Sequence, residues 1–241
     1  MKLLLLISTL AVLCSCSSRP NKAAAAAQPA VYSYKKPHPD GTGKVYLGRE
    51  IAHVMSAAGG NWLERNSRDI EEGVEQAIDL MQLQPDTKVA DIGAGTGYYT
   101  FRMADKVPQG RVFAVEVQPE FITALEARRT QLRAVNVSVV QGTEQGPNLP
   151  EGSIDLAIMV DVYHELAYPQ EMLQALYKAL KPTGKILLLE YRKEDPAIPI
   201  KELHKLSVVQ ANKEMAANGF VPDRLSDALP MQHFLLYRKR G

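Results

Sequence analysis

Residues 89–100 read VADIGAGTGYYT. An apolar run from Val89 to Ile92 gives way to three glycines in five positions, Gly93, Gly95 and Gly97, and then to a segment with helical character. A strand that turns through glycines into a helix is the setting a nucleotide-binding loop needs. Glycine is required there because a ligand must approach the backbone where a Cβ would block it. The spacing narrows the ligand. A dinucleotide fingerprint wants Gly or Ala where Tyr98 stands, which disfavours a nicotinamide-dependent reductase. No Gly-Lys-Ser/Thr follows, which excludes the P-loop of nucleoside triphosphatases.

The chain around this loop alternates strand and helix. Ile70, Val74, Ala77, Ile78 and Met81 share one face at helical spacing, which predicts a helix over 68–83 ended by Pro85. Strands are expected at 88–92, 110–117, VSVVQG, 153–161 and 185–191, with helices after Tyr98, from Pro119 and from Pro169. A further helix over roughly 200–218 is stopped by Gly219, and two closely spaced strand-like segments close the chain. Val-, Ile- and Leu-rich strands separated by helices argue a parallel sheet covered on both faces. The expected class is therefore α/β: a doubly wound, Rossmann-like, seven-stranded sheet, mostly parallel, with an antiparallel strand near the C-terminus.

Asp91 stands two residues before Gly93. A carboxylate beside a pyrophosphate is unfavourable, whereas beside an ammonium group it is favourable. The ligand is thus expected to carry an amine, with a carboxylate that meets amides near a helix N-terminus. The amino-acid end of S-adenosylmethionine has this form. Glu116, at the end of the second strand, is placed to accept hydrogen bonds from both ribose hydroxyls.

With these motifs the chain resembles the class I S-adenosylmethionine-dependent methyltransferases. VADIGAGTG is similar to their first motif and Glu116 to their ribose acid. The stretch from QGTEQG to DVYHEL resembles their adenine loop and fourth strand, and LKPTGKILLLEY their fifth strand. The likeness covers about residues 74–191. More narrowly, it resembles the quinone-methylating and type 11 small-molecule groups. The resemblance implies Gly93, Ala94, Gly95 and Gly97 beside the methionine part of the cofactor. It implies Thr143 and Glu144 near the adenine, and Asp161 facing the methyl group and the acceptor. The acceptor it implies is a small or lipophilic molecule.

Methyl transfer is an in-line displacement, so a protein mainly aligns nucleophile, methyl carbon and sulfur. Where the acceptor must lose a proton, DVYHEL (161–166) supplies His164 as the candidate base, because an imidazole titrates near neutrality. Asp161 is the second catalytic candidate. No histidine pair has a spacing that demands a metal, and Asp161 with Glu190 is two carboxylates without a third ligand, so no metal is expected. His204 is expected to be structural. Trp62 is expected to anchor the N-terminal segment by burial, with Arg65 and Arg68 solvated.

The first 44 residues have a different character. Lys2 precedes an apolar stretch, Leu3 to Leu13, that is too short to span a bilayer and ends at LCSC. This resembles a bacterial lipoprotein signal. It implies removal of residues 1–15, lipid on Cys16, and an exported domain held at a membrane of the envelope. Residues 16–44 read as a flexible tether, 45–241 as the methyltransferase-like domain, and 45–84 as its helical extension. Cys14 and Cys16 are the chain's two cysteines, so the rest has no thiolate chemistry. A net charge of +1 gives no reason to expect nucleic acid. Export raises a second reading, a non-catalytic binding protein on the same fold.

Overall fold

The computed structural model describes residues 30–241. The expected signal peptide, Cys16 and the tether as far as residue 29 lie outside the described residues. The described chain opens with three antiparallel strands, β1 (Tyr32–Tyr34), β2 (Gly41–Tyr46) and β3 (Arg49–Ala52). This corrects two expectations. Residues 31–44 are not a tether, and 45–84 are not wholly helical. Pro37 and Pro39 fall in the β1–β2 connection, where their missing N–H groups cost no ladder bond. The connection is tied down by Glu50, whose Oε1 accepts the N–H groups of His38 (2.9 Å) and Gly43 (3.0 Å). Tyr46, Ile51 and Ala52 are buried, which gives the small sheet an apolar side.

Three short helices follow: α1 (Gly60–Leu63), α2 (Arg68–Glu72) and α3 (Val74–Met81). The single helix expected over 68–83 is interrupted at Gly73, which takes φ +66° and caps α2. A side chain there would also meet Pro230 at 2.9 Å. The break leaves Val74, Ala77 and Ile78 buried on α3 while Ile70 stays exposed.

The main sheet has seven strands: β4 (Lys88–Ile92), β5 (Arg111–Glu116), β6 (Val137–Gln141), β7 (Ile154–Val160), β8 (Leu180–Tyr191), β9 (Phe220–Ser226) and β10 (Gln232–Lys239). Their order is β6-β5-β4-β7-β8-β10-β9. Strands β4 to β8 pair in parallel, and β10 runs against both β8 and β9. The expected fold class is therefore the observed one. Alternate side chains serve two cores. Val89, Leu187 and Leu189 join α3, α4 (Tyr98–Lys106) and α5 (Pro119–Gln131) on one face. Ala90, Ile92, Ile186 and Leu188 join α6 (Pro169–Ala179) and α7 (Val208–Ala217) on the other. From β4 the chain winds outward through β5 to β6, then crosses back to β7 on the other side of β4, so the strand order reverses at β4. A crevice opens at that switch point, where α/β sheets hold ligands.

Candidate active site

The crevice floor is made by the ends of β4, β5 and β7. Gly93 and Gly97 bracket the loop at φ +70° and +83°. Gly97 is the cap of α4, and a Cβ there would lie 2.5 Å from Phe101 and 2.8 Å from Leu125. It is thus required for packing the helix onto the sheet. Glu116 is buried at the end of β5. Its Oε2 accepts the N–H of Gly95 (2.9 Å), and its Oε1 accepts those of Val117 (2.7 Å) and Gln118 (3.0 Å). One carboxylate therefore fixes the glycine loop against the next strand end.

Asp91 is buried below this floor. Its Oδ2 accepts the Thr100 hydroxyl at 2.5 Å. Burial raises its carboxyl to about 6, against the lowering effect of the Thr100 bond and the Arg68 charge.

Asp161 follows β7 with a left-handed backbone, φ +52°. Its Oδ2 accepts from the Gln232 amide at 2.8 Å, while its Oδ1 is buried without a partner. Burial raises this carboxyl well above the ordinary range, and the nearby charges of Glu72 and Glu190 act in the same direction. Glu72 is itself the hub of the N-terminal segment. It accepts from Arg65 (2.7 Å), Arg68 (2.9 Å) and the Tyr191 hydroxyl (2.9 Å). The two arginines expected to be solvated are thus ion-paired, Arg68 at 4% exposure, because Glu72 lies four residues beyond Arg68 on α2. Trp62 reverses the other way. It is 47% exposed at the cleft rim, its ring covered by the Arg65 guanidinium 3.8 Å away.

His164 sits in a 3₁₀ turn, Tyr163–Glu165, that follows β7. It is buried, and its Nδ1 lies 2.6 Å from Glu190 Oε2 at the end of β8. Its Nε2 lies 3.2 Å from His204 Nδ1 and 3.7 Å from Glu165 Oε1. His204 Nδ1 is in turn 3.2 Å from Glu165 Oε1. Burial alone pulls the His164 imidazole down, but Glu190 and Glu165 outweigh it and raise it to about 10. The two carboxylates thus shift this imidazole upward from the near-neutral range expected of a base. Burial likewise opposes ionisation of Glu165, yet the two histidines bring it down to about 2. The turn is pinned from outside by Arg49 of β3, which donates to the His164 carbonyl at 3.0 Å and clasps buried Glu214 in a two-pronged pair (2.7 and 2.8 Å).

These groups border one cleft of about 750 Å³. Of the expected site residues, Gly93, Gly95, Glu116, Thr143, Glu144, Asp161 and His164 face it together. Asp91, Ala94 and Gly97 do not line it. Asp91 lies under α4, bonded to Thr100, and Gly97 packs against Phe101. Tyr98 and Tyr99 are both core residues. Sequence reasoning missed Glu72, His53 and the gathering of His204 onto His164. The missed roof is apolar: Val54, Met55, Leu63, Phe121, Leu166 and Ile200.

Residues 90–186 match the methyltransferase domain family. A ubiquinone/menaquinone biosynthesis C-methyltransferase of Pasteurella multocida is 25% identical over 145 residues, covering 58% of this chain and 54% of the relative. An uncharacterized methyltransferase-like protein of Schizosaccharomyces pombe is 28% identical over 146 residues, covering 61% of this chain and 53% of the relative. The chain thus spans about half the length of these curated relatives. Among solved structures, a SAM-dependent methyltransferase from Aquifex aeolicus superposes with a TM-score of 0.71 at 23% identity, covering 76% of this chain and 98% of that one. The switch-point cleft, the glycine loop bound to Glu116 and the family match agree: residues 90–186 match a methyltransferase domain, and the chain has the Rossmann-like fold of the Aquifex structure.

Proposed function

We propose that this chain transfers a methyl group from S-adenosylmethionine to a small, largely apolar acceptor. The observation that carries this reading is the meeting of Glu116 and Asp161 with the glycine loop in one cleft. The residues fit the donor. Asp161 Oδ1 is a buried acceptor without a partner, suited to an ammonium group, and Glu116 faces the cleft at the position of a ribose acid. Gly95 leaves backbone open where a side chain would stand 2.8 Å from Leu63.

When bound, the donor supplies an electrophilic methyl on a sulfonium, whose departing thioether is neutral. The chain's own residues hold and align. Glu116 orients the ribose, Asp161 the amino-acid end, and the walls formed by Val54, Met55, Leu63 and Ile200 exclude water and select an apolar acceptor. His164 borders the cleft beside Glu165 and His204. The name of the Pasteurella relative, a quinone methyltransferase, supports an apolar acceptor.

The test is calorimetry with S-adenosylmethionine on the full chain and on Glu116→Ala, followed by transfer of labelled methyl to a membrane-lipid extract. Binding weakened about 10- to 150-fold in the variant, the loss of charged hydrogen bonds, is expected, together with labelled lipid-soluble product. Absence of both binding and thermal shift in the wild type overturns the reading. Binding without transfer to any acceptor favours the non-catalytic alternative. We also propose export with a lipid on Cys16. The mass of the mature N-terminus from native membranes checks it, and an intact Met1 refutes it.

A further inference from the structure

Three donor atoms face one another at the cleft edge: His164 Nε2, His204 Nδ1 and Glu165 Oε1, with edges of 3.2, 3.2 and 3.7 Å. Ligands bound at about 2.0–2.1 Å in a tetrahedron stand about 3.3–3.4 Å apart, whereas neighbours in an octahedron at that bond length stand about 2.8–3.0 Å apart. The observed triangle fits the tetrahedral spacing. The 3.7 Å edge is too long for a hydrogen bond. A single ion above the triangle would engage all three lone pairs at once.

The surroundings are those of a built site. His164 presents its other ring nitrogen, Nδ1, to Glu190 at 2.6 Å, which fixes the tautomer with Nε2 free to ligate. Glu190 is itself held by the Tyr163 N–H at 2.8 Å. Glu165 is oriented from its far oxygen, which accepts the Met55 N–H at 3.1 Å. Each ligand borders the cleft, so a fourth position is open toward the acceptor side. Two imidazoles and one carboxylate with an open position are the donor set of catalytic zinc sites.

We propose that His164, Glu165 and His204 bind one divalent cation of the zinc class in tetrahedral geometry, with Glu190 as the carboxylate that positions His164. The cation's open position would bind an oxygen or nitrogen of the molecule in the cleft.

The test uses the full chain, stripped with chelator and titrated with Co²⁺ alone. It needs no cofactor, so its failure and the failure of the methyl-transfer reading are separate results. Uptake of a single ion per chain is expected, with the intense visible absorption of four-coordinate cobalt, abolished by competing Zn²⁺. His204→Ala and Glu165→Gln are expected to lose that absorption while keeping the wild-type far-ultraviolet dichroism, since both side chains lie at the cleft edge. Glu190→Gln is expected to bind about 10- to 100-fold more weakly with the same spectrum. No uptake by the wild type overturns the proposal. So does a weak six-coordinate spectrum, or binding by His204→Ala equal to the wild type. A thiolate charge-transfer band that disappears in the Cys14→Ser, Cys16→Ser chain also overturns it, by assigning the ion to the cysteines.

Discussion

Arg49 offers the sharpest test of how the N-terminal sheet supports the cleft. It is 8% exposed at the side chain and Glu214 is 0% exposed, and their two-pronged pair is joined by the Tyr163 hydroxyl and the Gln210 amide, each at 2.8 Å from Glu214. Replacing Arg49 with Met fills similar volume but leaves a buried carboxylate facing only two neutral donors. Breaking a buried pair from one side costs about 3–5 kcal/mol, because the remaining charge stays desolvated. For a chain of this size that corresponds to a fall in Tm of about 6–20 °C. Glu214→Gln added to Arg49→Met removes the stranded charge while keeping an acceptor for Tyr163. The double variant is expected to recover to within about 2 kcal/mol of the wild type. Urea and thermal unfolding of the three proteins measure this. A single variant melting within about 2 °C of the wild type would refute the reasoning, as would a double variant no better than the single.

Other substitutions read different parts of the structure. Asp91 has a folded-state value of about 6, above its ordinary 3.8, so its neutral form is favoured by the fold. The stability it confers is fully present below pH 3.8 and is lost as pH rises through 6, a total of about 3 kcal/mol. Asp91→Asn is therefore expected to unfold like the wild type at pH 4 and to be more stable at pH 7; parallel denaturation curves at both pH values check it. Gly97→Ala combines a left-handed backbone with a contact 2.5 Å from Phe101, and is expected to lose about 2–5 kcal/mol in chemical denaturation. Trp62→Ala, by contrast, removes a half-exposed rim residue. It is expected to change stability by less than about 1 kcal/mol while raising KM for the acceptor.

The parts legible in the sequence were those with short-range pattern. The glycine loop, the Val/Ile/Leu strands and Glu116 at a strand end sit at spacings fixed by the α/β repeat, and a mostly parallel, doubly wound sheet follows from them. The parts that were not legible depend on groups far apart in the chain. His204 reaches His164 across 40 positions through a 3₁₀ turn that has no periodic signature. Arg68 is adjacent in sequence to polar residues, yet it is buried because Glu72 neutralises it and Tyr98 lies 4.5 Å below its guanidinium. Residues 31–44 looked like a linker because Pro37, Pro39 and two glycines, Gly41 and Gly43, hide the strands on either side. A tertiary contact, Glu50 reaching back to the connection, turns that composition into a folded hairpin.

The division of the cleft has an evolutionary consequence. Its floor comes from strand ends within residues 90–186, whereas much of its roof comes from residues 53–63 and 199–204, on either side of that span. Each roof segment rests on loops and short turns rather than on the buried sheet. Drift in those two stretches can therefore reshape what the cleft admits while the loop and Glu116 stay under unchanged packing constraints. Relatives that share the floor can diverge in acceptor without refolding, and a chimera exchanging only these two segments is the natural unit for transplanting selectivity.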